Sequence, residues 1–272
     1  MSVRVESALY LSTKQGGMTA MLGNQTIENL RELRLIAMAD AYTHQCQDPN
    51  MNALSFDERF GLLIDYERTA RQNRQLTRLL REARLKIHAA PEEIDYRVAR
   101  GLDATVIRQL ATGRWISAHQ NLIVSGPTGV GKTFLICALA TAACRQGFHV
   151  RYHRLSHLIQ EIAIAKADGT YPRLRRQLGK ADLLMLDDWG LAPMNGAEGR
   201  ELLDILDDRT PTQSTCVASQ LPIESWYGTF ADPTVADAVL DRIVHSAHKI
   251  TLKGESMRKL KNTLQEDEKI GK

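Results

Sequence analysis

The chain has 272 residues, 43% of them hydrophobic and 25% charged, with a net charge of +3. That balance excludes a fibrous, collagen-like or wholly disordered polypeptide, and the length allows one large domain or two modest ones, each with a real core. A net charge this small selects no class of partner, so the distribution of charge along the chain has to do so.

The first residues are polar and unpatterned, without the apolar run of a signal peptide, and 1–25 are expected to form a flexible arm. Thr26 is placed to cap a helix in which Leu30, Leu33, Ala37 and Ala41 recur at helical spacing, broken near Asp48-Pro49. Ser55 and Glu58 have capping-box spacing, and the helical pattern that follows runs to His88, with Pro91 as the stop. A shorter helix through Val106 and Leu110 ends at Gly113. Residues 26–115 therefore read as an all-helical N-terminal domain.

Within that domain, residues 68–86 hold Arg68, Arg71, Arg74, Arg78, Arg81, Arg84 and Lys86 against one acid, Glu82. The first five fall within an arc of roughly 140° of a helix, while Leu76, Leu79, Leu80, Ala83 and Ile87 group elsewhere. A solvated face normally mixes signs in i,i+4 pairs. A face of one sign, nearly all Arg, fits a phosphate backbone better, and the lack of aromatics in it argues for sequence-tolerant binding of duplex rather than stacking on single-stranded bases.

From Asn121 the texture changes. Strand-like runs at Leu122–Ser125, His149–His153, Leu183–Asp187, Thr215–Ser219 and Lys249–Leu252 are separated by helical patterns, the first from Lys132 to about Gln146. This alternation predicts an α/β domain over 116–258, a parallel sheet flanked by helices, followed by a flexible tail at 259–272. Cys137 and Cys144 fall on one face of the first of these helices. With Cys46 and Cys216 they show no metal-ligand spacing and read as reduced thiols. The longest uncharged stretch, Phe134 to Cys144, is too short to cross a bilayer, so a cytoplasmic protein without membrane contact is expected.

Between the first strand and helix stand Gly126, Pro127, Thr128, Gly129, Val130, Gly131, Lys132 and Thr133, a complete G-x-x-x-x-G-K-[ST] loop, with Phe134 next. The glycines let the backbone turn its N–H groups toward an anion, and the helix N-terminus adds partial positive charge. Lys132 is placed to reach the β- and γ-phosphates of ATP and Thr133 to ligate Mg²⁺. The apolar run Leu183–Leu186 ends in Asp187 and Asp188 at the edge of the sheet where ligands bind. Successive strand residues face opposite ways, so the two acids take different tasks: Asp187 toward Mg²⁺, Asp188 toward the attacking water.

The set of motifs resembles the IstB-like ATPases, helper proteins encoded beside the transposases of bacterial insertion sequences and kin of DnaC-type helicase loaders in the AAA+ class. It comprises Phe56 to Leu63, Trp115-Ile116, the phosphate loop, Leu186 to Pro193, Asp207-Asp208-Arg209, Ala218 to Pro222 with Trp226, Leu240 to Ile243, and Gly254 to Arg258. The resemblance implies an AAA+ fold and an Mg²⁺-dependent ATPase. It implies Gln220 as a polar sensor, in place of the usual Asn, and Asp188 in place of the usual Glu. It further implies Arg242 as the arginine offered to a neighbouring subunit's nucleotide, and Arg258 as the one touching the γ-phosphate in its own chain. The residues after Arg258 are too few for the helical lid of many AAA+ proteins, so closure would lean on the adjacent subunit. A bacterial homo-oligomer, ring or helical filament, acting with a transposase on duplex DNA is the implied assembly. A helicase loader and a nucleotide switch with negligible turnover are the alternatives.

Overall fold

Among the described residues, Ser55 opens the longest helix through the reciprocal bonds that its spacing predicts. Its N–H and hydroxyl both donate to Glu58 Oε2 at 2.8 Å, and its Oγ accepts from the Glu58 N–H at 3.3 Å. The computed structural model describes residues 23–257; the tail 259–272, Arg258 and most of the expected arm lie outside the described residues. Helix α1 covers residues 23–32, so Thr26 sits inside it and does not cap it. The chain then turns at 33–35, with Arg34 at φ 60°, and resumes as α2 (Ile36–Gln47), which divides the single helix expected here in two. Helix α3 (Phe56–Ala83) stops short of His88, because Arg84 adopts a left-handed φ of 52° that ends helical bonding.

Two compact units divide between Gln75 and Leu76. In the first, Met38, Ala41 and Leu63 form a small core with Leu30, Leu35 and Tyr42 against it. Two polar contacts pin α2 and α3 together: the Met38 N–H donates to Glu67 Oε2 at 3.2 Å, and Gln45 Nε2 donates to the Arg59 carbonyl at 3.0 Å.

The second unit contains α4 (Ala104–Ala111), α5 (Arg114–Ser117), β1 (Asn121–Ser125), α6 (Lys132–Arg145), β2 (Val150–Arg154) and α7 (Leu155–Ala167). It continues with α8 (Tyr171–Gly179), β3 (Leu183–Trp189), α9 (Gly196–Arg209), β4 (Ser214–Ser219), α10 (Pro233–Val244) and β5 (Ala247–Thr251). The five strands form one parallel sheet in the order β2-β3-β4-β1-β5. Alternation distributes the three inner strands, β1, β3 and β4, between two cores. Leu122, Val124, Leu183, Met185, Cys216 and Ala218 join the layer of α6, while Ile123, Leu184, Leu186 and Val217 join the layer of α7 to α10. β1 and β4 are buried throughout, as central parallel strands covered on both faces should be.

The sequence pattern puts the joint between domains near Trp115, but the unit that carries the sheet begins at Leu76. Leu79, Ala83, Ile107, Leu110 and Trp115 are all buried in the α6 layer, so the helices before β1 supply part of that core. Cys137, Cys144 and Cys216 are buried in the same layer as free thiols, and burial pushes Cys137 up to about 11 and Cys144 up to about 12. Arg209, one of the arginines in the motif set, is a structural staple. It is 1% exposed and donates to the carbonyls of Leu178, Ala181 and Ser214, tying α8 and α9 to the start of β4.

Candidate nucleotide site

The loop between β1 and α6 has the left-handed backbone for which its glycines were needed: φ is 148° at Gly126, 83° at Gly129 and 102° at Gly131. At all three a Cβ would also come too close to a neighbour: the Leu252 carbonyl at Gly126, Ser256 at Gly129 and Arg100 Nη1 at Gly131. The loop is clasped by the segment after β5, since the Leu252 N–H donates to the Ser125 carbonyl at 2.8 Å and the Met257 N–H to the Gly129 carbonyl at 3.0 Å. Lys132 is buried, and Nζ donates to the carbonyls of Gly126 (2.7 Å) and Pro127 (2.9 Å). Burial lowers the Lys132 pKa against the opposing pull of Asp187 and Asp188. Among the described residues it has no carboxylate partner at ion-pair distance, which leaves its charge available to an anion.

Asp187 is 1% exposed on β3. Its Oδ2 accepts from Thr133 Oγ1 at 2.8 Å and from Tyr152 Oη at 2.7 Å, and its Oδ1 accepts from the Asp188 N–H at 2.9 Å. Asp188 does not follow simple strand alternation. It has φ 58° at a shift in the β3–β4 register between Leu186 and Trp189, and a bulge of this kind re-aims a side chain. Its carboxylate stands 4.0 Å from Lys86 Nζ and 3.7 Å from Arg154 Nε. From the end of β4, Gln220 Oε1 accepts from Thr128 Oγ1 at 2.6 Å.

These groups border a cavity of about 600 Å³, lined by Thr128, Gly129, Gly131, Lys132, Thr133, Phe134, Asp188 and Gln220 among others. The size suits a small-molecule ligand. The glycine cradle and the unpaired ammonium fit a polyphosphate, and the paired oxygens of Thr133 and Asp187 are of the kind Mg²⁺ takes.

Not every expected residue belongs here. Arg242 lies on α10 and is held within its own chain, Nε donating to Asp207 Oδ1 at 2.6 Å. The arginines expected to contact DNA need a correction of their own, because acids just before residues 68–86 reach into the arginine face. Arg68 pairs with Asp65 at 3.0 Å, and Arg71 and Arg74 both reach the buried Glu67, at 2.8 Å and 3.2 Å. Arg78 and Arg81 are exposed and form no ion pair among the described residues. Lys86 lies beyond α3 and faces the cavity. Tyr152 and Arg154 were missed by sequence reasoning, which read Lys86 only as part of the basic stretch; only the place of Arg154 at the end of a strand beside the acidic one offered a signal.

A parallel sheet with a phosphate loop after its first strand and acids ending the third defines a P-loop nucleotide-binding protein of the AAA+ kind. The chain belongs to the IstB-like ATP binding protein family, whose model matches residues 28–265. It is 45% identical over 239 residues to y4pL of Sinorhizobium fredii, a protein named for ATP binding and for an insertion sequence, with 88% of this chain and 98% of that one covered. Among solved structures it is similar in fold to DnaI, at a TM-score of 0.53 and 20% identity over 65% of this chain and 93% of that one. It is likewise similar to AMPPCP-bound DnaA from Aquifex aeolicus, at 0.53 and 22% over 67% and 56%. Among the described residues no helix is long and apolar enough to cross a membrane.

Proposed function

We propose that the protein is an Mg²⁺-dependent ATPase that assembles on duplex DNA and assists the transposase of an insertion sequence. The observation that carries the ATPase reading is the convergence of Lys132, Thr133 and Asp188 on one cavity at the C-terminal edge of the sheet, with the buried Asp187 bonded to Thr133 behind it. Lys132 gives up its two loop carbonyls to hold the phosphate chain, and the loop N–H groups of Gly129 to Lys132 complete the cradle. Thr133 and Asp187 hold Mg²⁺, which when bound neutralises charge on the β- and γ-phosphates. Asp188 accepts the proton of the water that attacks the γ-phosphate, and Gln220 senses that phosphate from the end of β4. Arg242 and Arg258 are assigned on family resemblance, Arg242 to the neighbouring subunit's site and Arg258 to its own.

The insertion-sequence relative supports the transposase partner, and Arg78 and Arg81, exposed and without an ion pair among the described residues, support DNA contact, with Arg68, Arg71 and Arg74 contributing what Asp65 and Glu67 leave uncompensated. The test of the chemistry is ATP binding and turnover by Lys132→Ala and Asp188→Asn, with and without duplex DNA. Lys132→Ala should lose binding; Asp188→Asn should bind like wild type and turn over slowly. Wild-type turnover in Asp188→Asn removes the assigned base. One observation favours a nucleotide switch instead: the Asp188 carboxylate faces the cations of Lys86 at 4.0 Å and Arg154 at 3.7 Å, which compete with a water for its oxygens. Negligible wild-type turnover in both conditions selects that reading.

A further inference from the structure

Arg100 belongs to none of the motifs above. Its side chain is 4% exposed. Nη1 donates to the Val130 carbonyl at 3.2 Å, Nη2 donates to the Asp95 carbonyl at 2.8 Å, and Nε is buried with no partner. Both acceptors are neutral main-chain oxygens. The carboxylate of Asp95 is turned to Arg97, and among the described residues none forms an ion pair with Arg100. Burial accordingly lowers its pKa below the ordinary value of arginine, opposed by the more distant charge of Asp95. A buried guanidinium without a counter-charge is costly, and a carboxylate placed beside it would have relieved that cost.

Two further observations tie this charge to the nucleotide cavity. Arg100 lines it together with Lys132 and Thr133. Gly131 passes so close that a Cβ there would stand 2.6 Å from Nη1. The main chain of Arg100 is engaged as well: its carbonyl accepts from the Lys253 N–H at 2.9 Å, in the same segment that clasps Gly129 through Met257.

We propose that Arg100 is a positioning residue of the phosphate loop, and that its missing counter-charge is the polyphosphate of the bound nucleotide. By holding the Val130 carbonyl, it fixes the peptide plane ahead of Gly131, and the N–H groups of the loop stay free to face an anion. A polyphosphate held by those N–H groups brings negative charge into the cavity that Arg100 lines. The inference rests on reading this cavity as the ATP site.

The experiment compares full-length wild type, Arg100→Met, Arg100→Lys and Lys132→Ala by calorimetric binding of ATP and ADP and by thermal melts with and without ATP. Arg100→Met removes an uncompensated charge and keeps an apolar stem, so the nucleotide-free protein should melt at or above the wild-type temperature. Its affinity for both nucleotides should fall about 10- to 100-fold, the scale of a hydrogen bond to a charged group, and the melting shift given by ATP should shrink with it. Arg100→Lys keeps the charge but not the planar fork, and should recover part of the affinity. The proposal is overturned if Arg100→Met melts lower without nucleotide yet binds ATP like wild type, for then Arg100 only braces the fold. It is equally overturned if Arg100→Lys binds no better than Arg100→Met. Wild type that fails to bind ATP would overturn the ATP-site reading itself, an outcome separable from wild-type binding that Arg100→Met retains.

Discussion

Asp187 shows how much one side chain carries at this site. Its two oxygens accept from three donors, Thr133 Oγ1, Tyr152 Oη and the Asp188 N–H, at distances from 2.7 to 2.9 Å. A buried carboxylate needs such donors because it has left water behind. Tyr152 is the one among them that stands outside both motifs, and burial together with the bond to Asp187 raises its own pKa, keeping the phenol a donor. Tyr152→Phe should therefore cost about 1–3 kcal/mol of stability in urea denaturation of the nucleotide-free protein, the usual loss for a bond to a buried charge. An unchanged urea midpoint would mean that Thr133 and the Asp188 N–H satisfy the carboxylate alone.

At the scale of elements, α3 serves two compact units. Toward its middle, Glu67 is 5% exposed, and although burial alone would raise its pKa, the bonds from Arg71 and the Met38 N–H, with Arg74 beyond, hold it below the ordinary value of 4.5. A folded pKa below the unfolded one stabilises fully above about pH 4.5, and that contribution is lost as pH falls through the lowered folded value. Amide protection factors in α2, taken relative to the intrinsic exchange rate at each pH, should accordingly fall on acidification more in wild type than in Glu67→Gln; parallel pH profiles would show that Glu67 does not couple the two helices. Toward the end of the helix, Arg78 and Arg81 are exposed and have no acid partner among the described residues. Arg78→Ala with Arg81→Ala should weaken binding to all duplex sequences about equally. The log–log salt slope should flatten by about 2, since each phosphate that is no longer neutralised accounts for about 0.9. Unchanged affinity and slope would leave these arginines as a solvated face, with α8 the next basic element to test.

For the whole molecule, the question is whether one chain makes a complete active site. Arg242 is bound to Asp207 on its own α10–α9 pair and is absent from the cavity lining, so any catalytic use of it is at a neighbour's nucleotide. An arginine supplied in trans is worth about 10³–10⁵ in rate in GTPase systems. Arg242→Ala and Lys132→Ala subunits, each inactive alone, should regain measurable ATP turnover when mixed, because some interfaces then pair an intact arginine with an intact loop. Mixed oligomers, verified by mass, that stay inactive would remove the trans assignment.

The sequence alone determined whatever depends on local pattern. Strand β1, the phosphate loop and helix α6 were legible because glycine spacing, apolar runs and the Lys132-Thr133 pair are read within a short stretch of chain. The same holds for the Ser55 capping box and for the acids that end β3. Tertiary structure alone decided what depends on distant neighbours. Arg34 and Arg84 adopt left-handed conformations that no propensity announces, so helix boundaries moved at both places. The partner of Arg71 and Arg74 sits just before the stripe they define, and a face that looked purely basic proved partly neutralised. Helices before Trp115 joined the sheet's unit because their leucines and isoleucines are buried in the α6 layer. Tyr152, Arg154 and Arg100 reach the site from segments with no motif of their own. A hydrogen bond or a buried charge between residues far apart in sequence leaves no periodicity to read, and exists only once the fold has closed the distance.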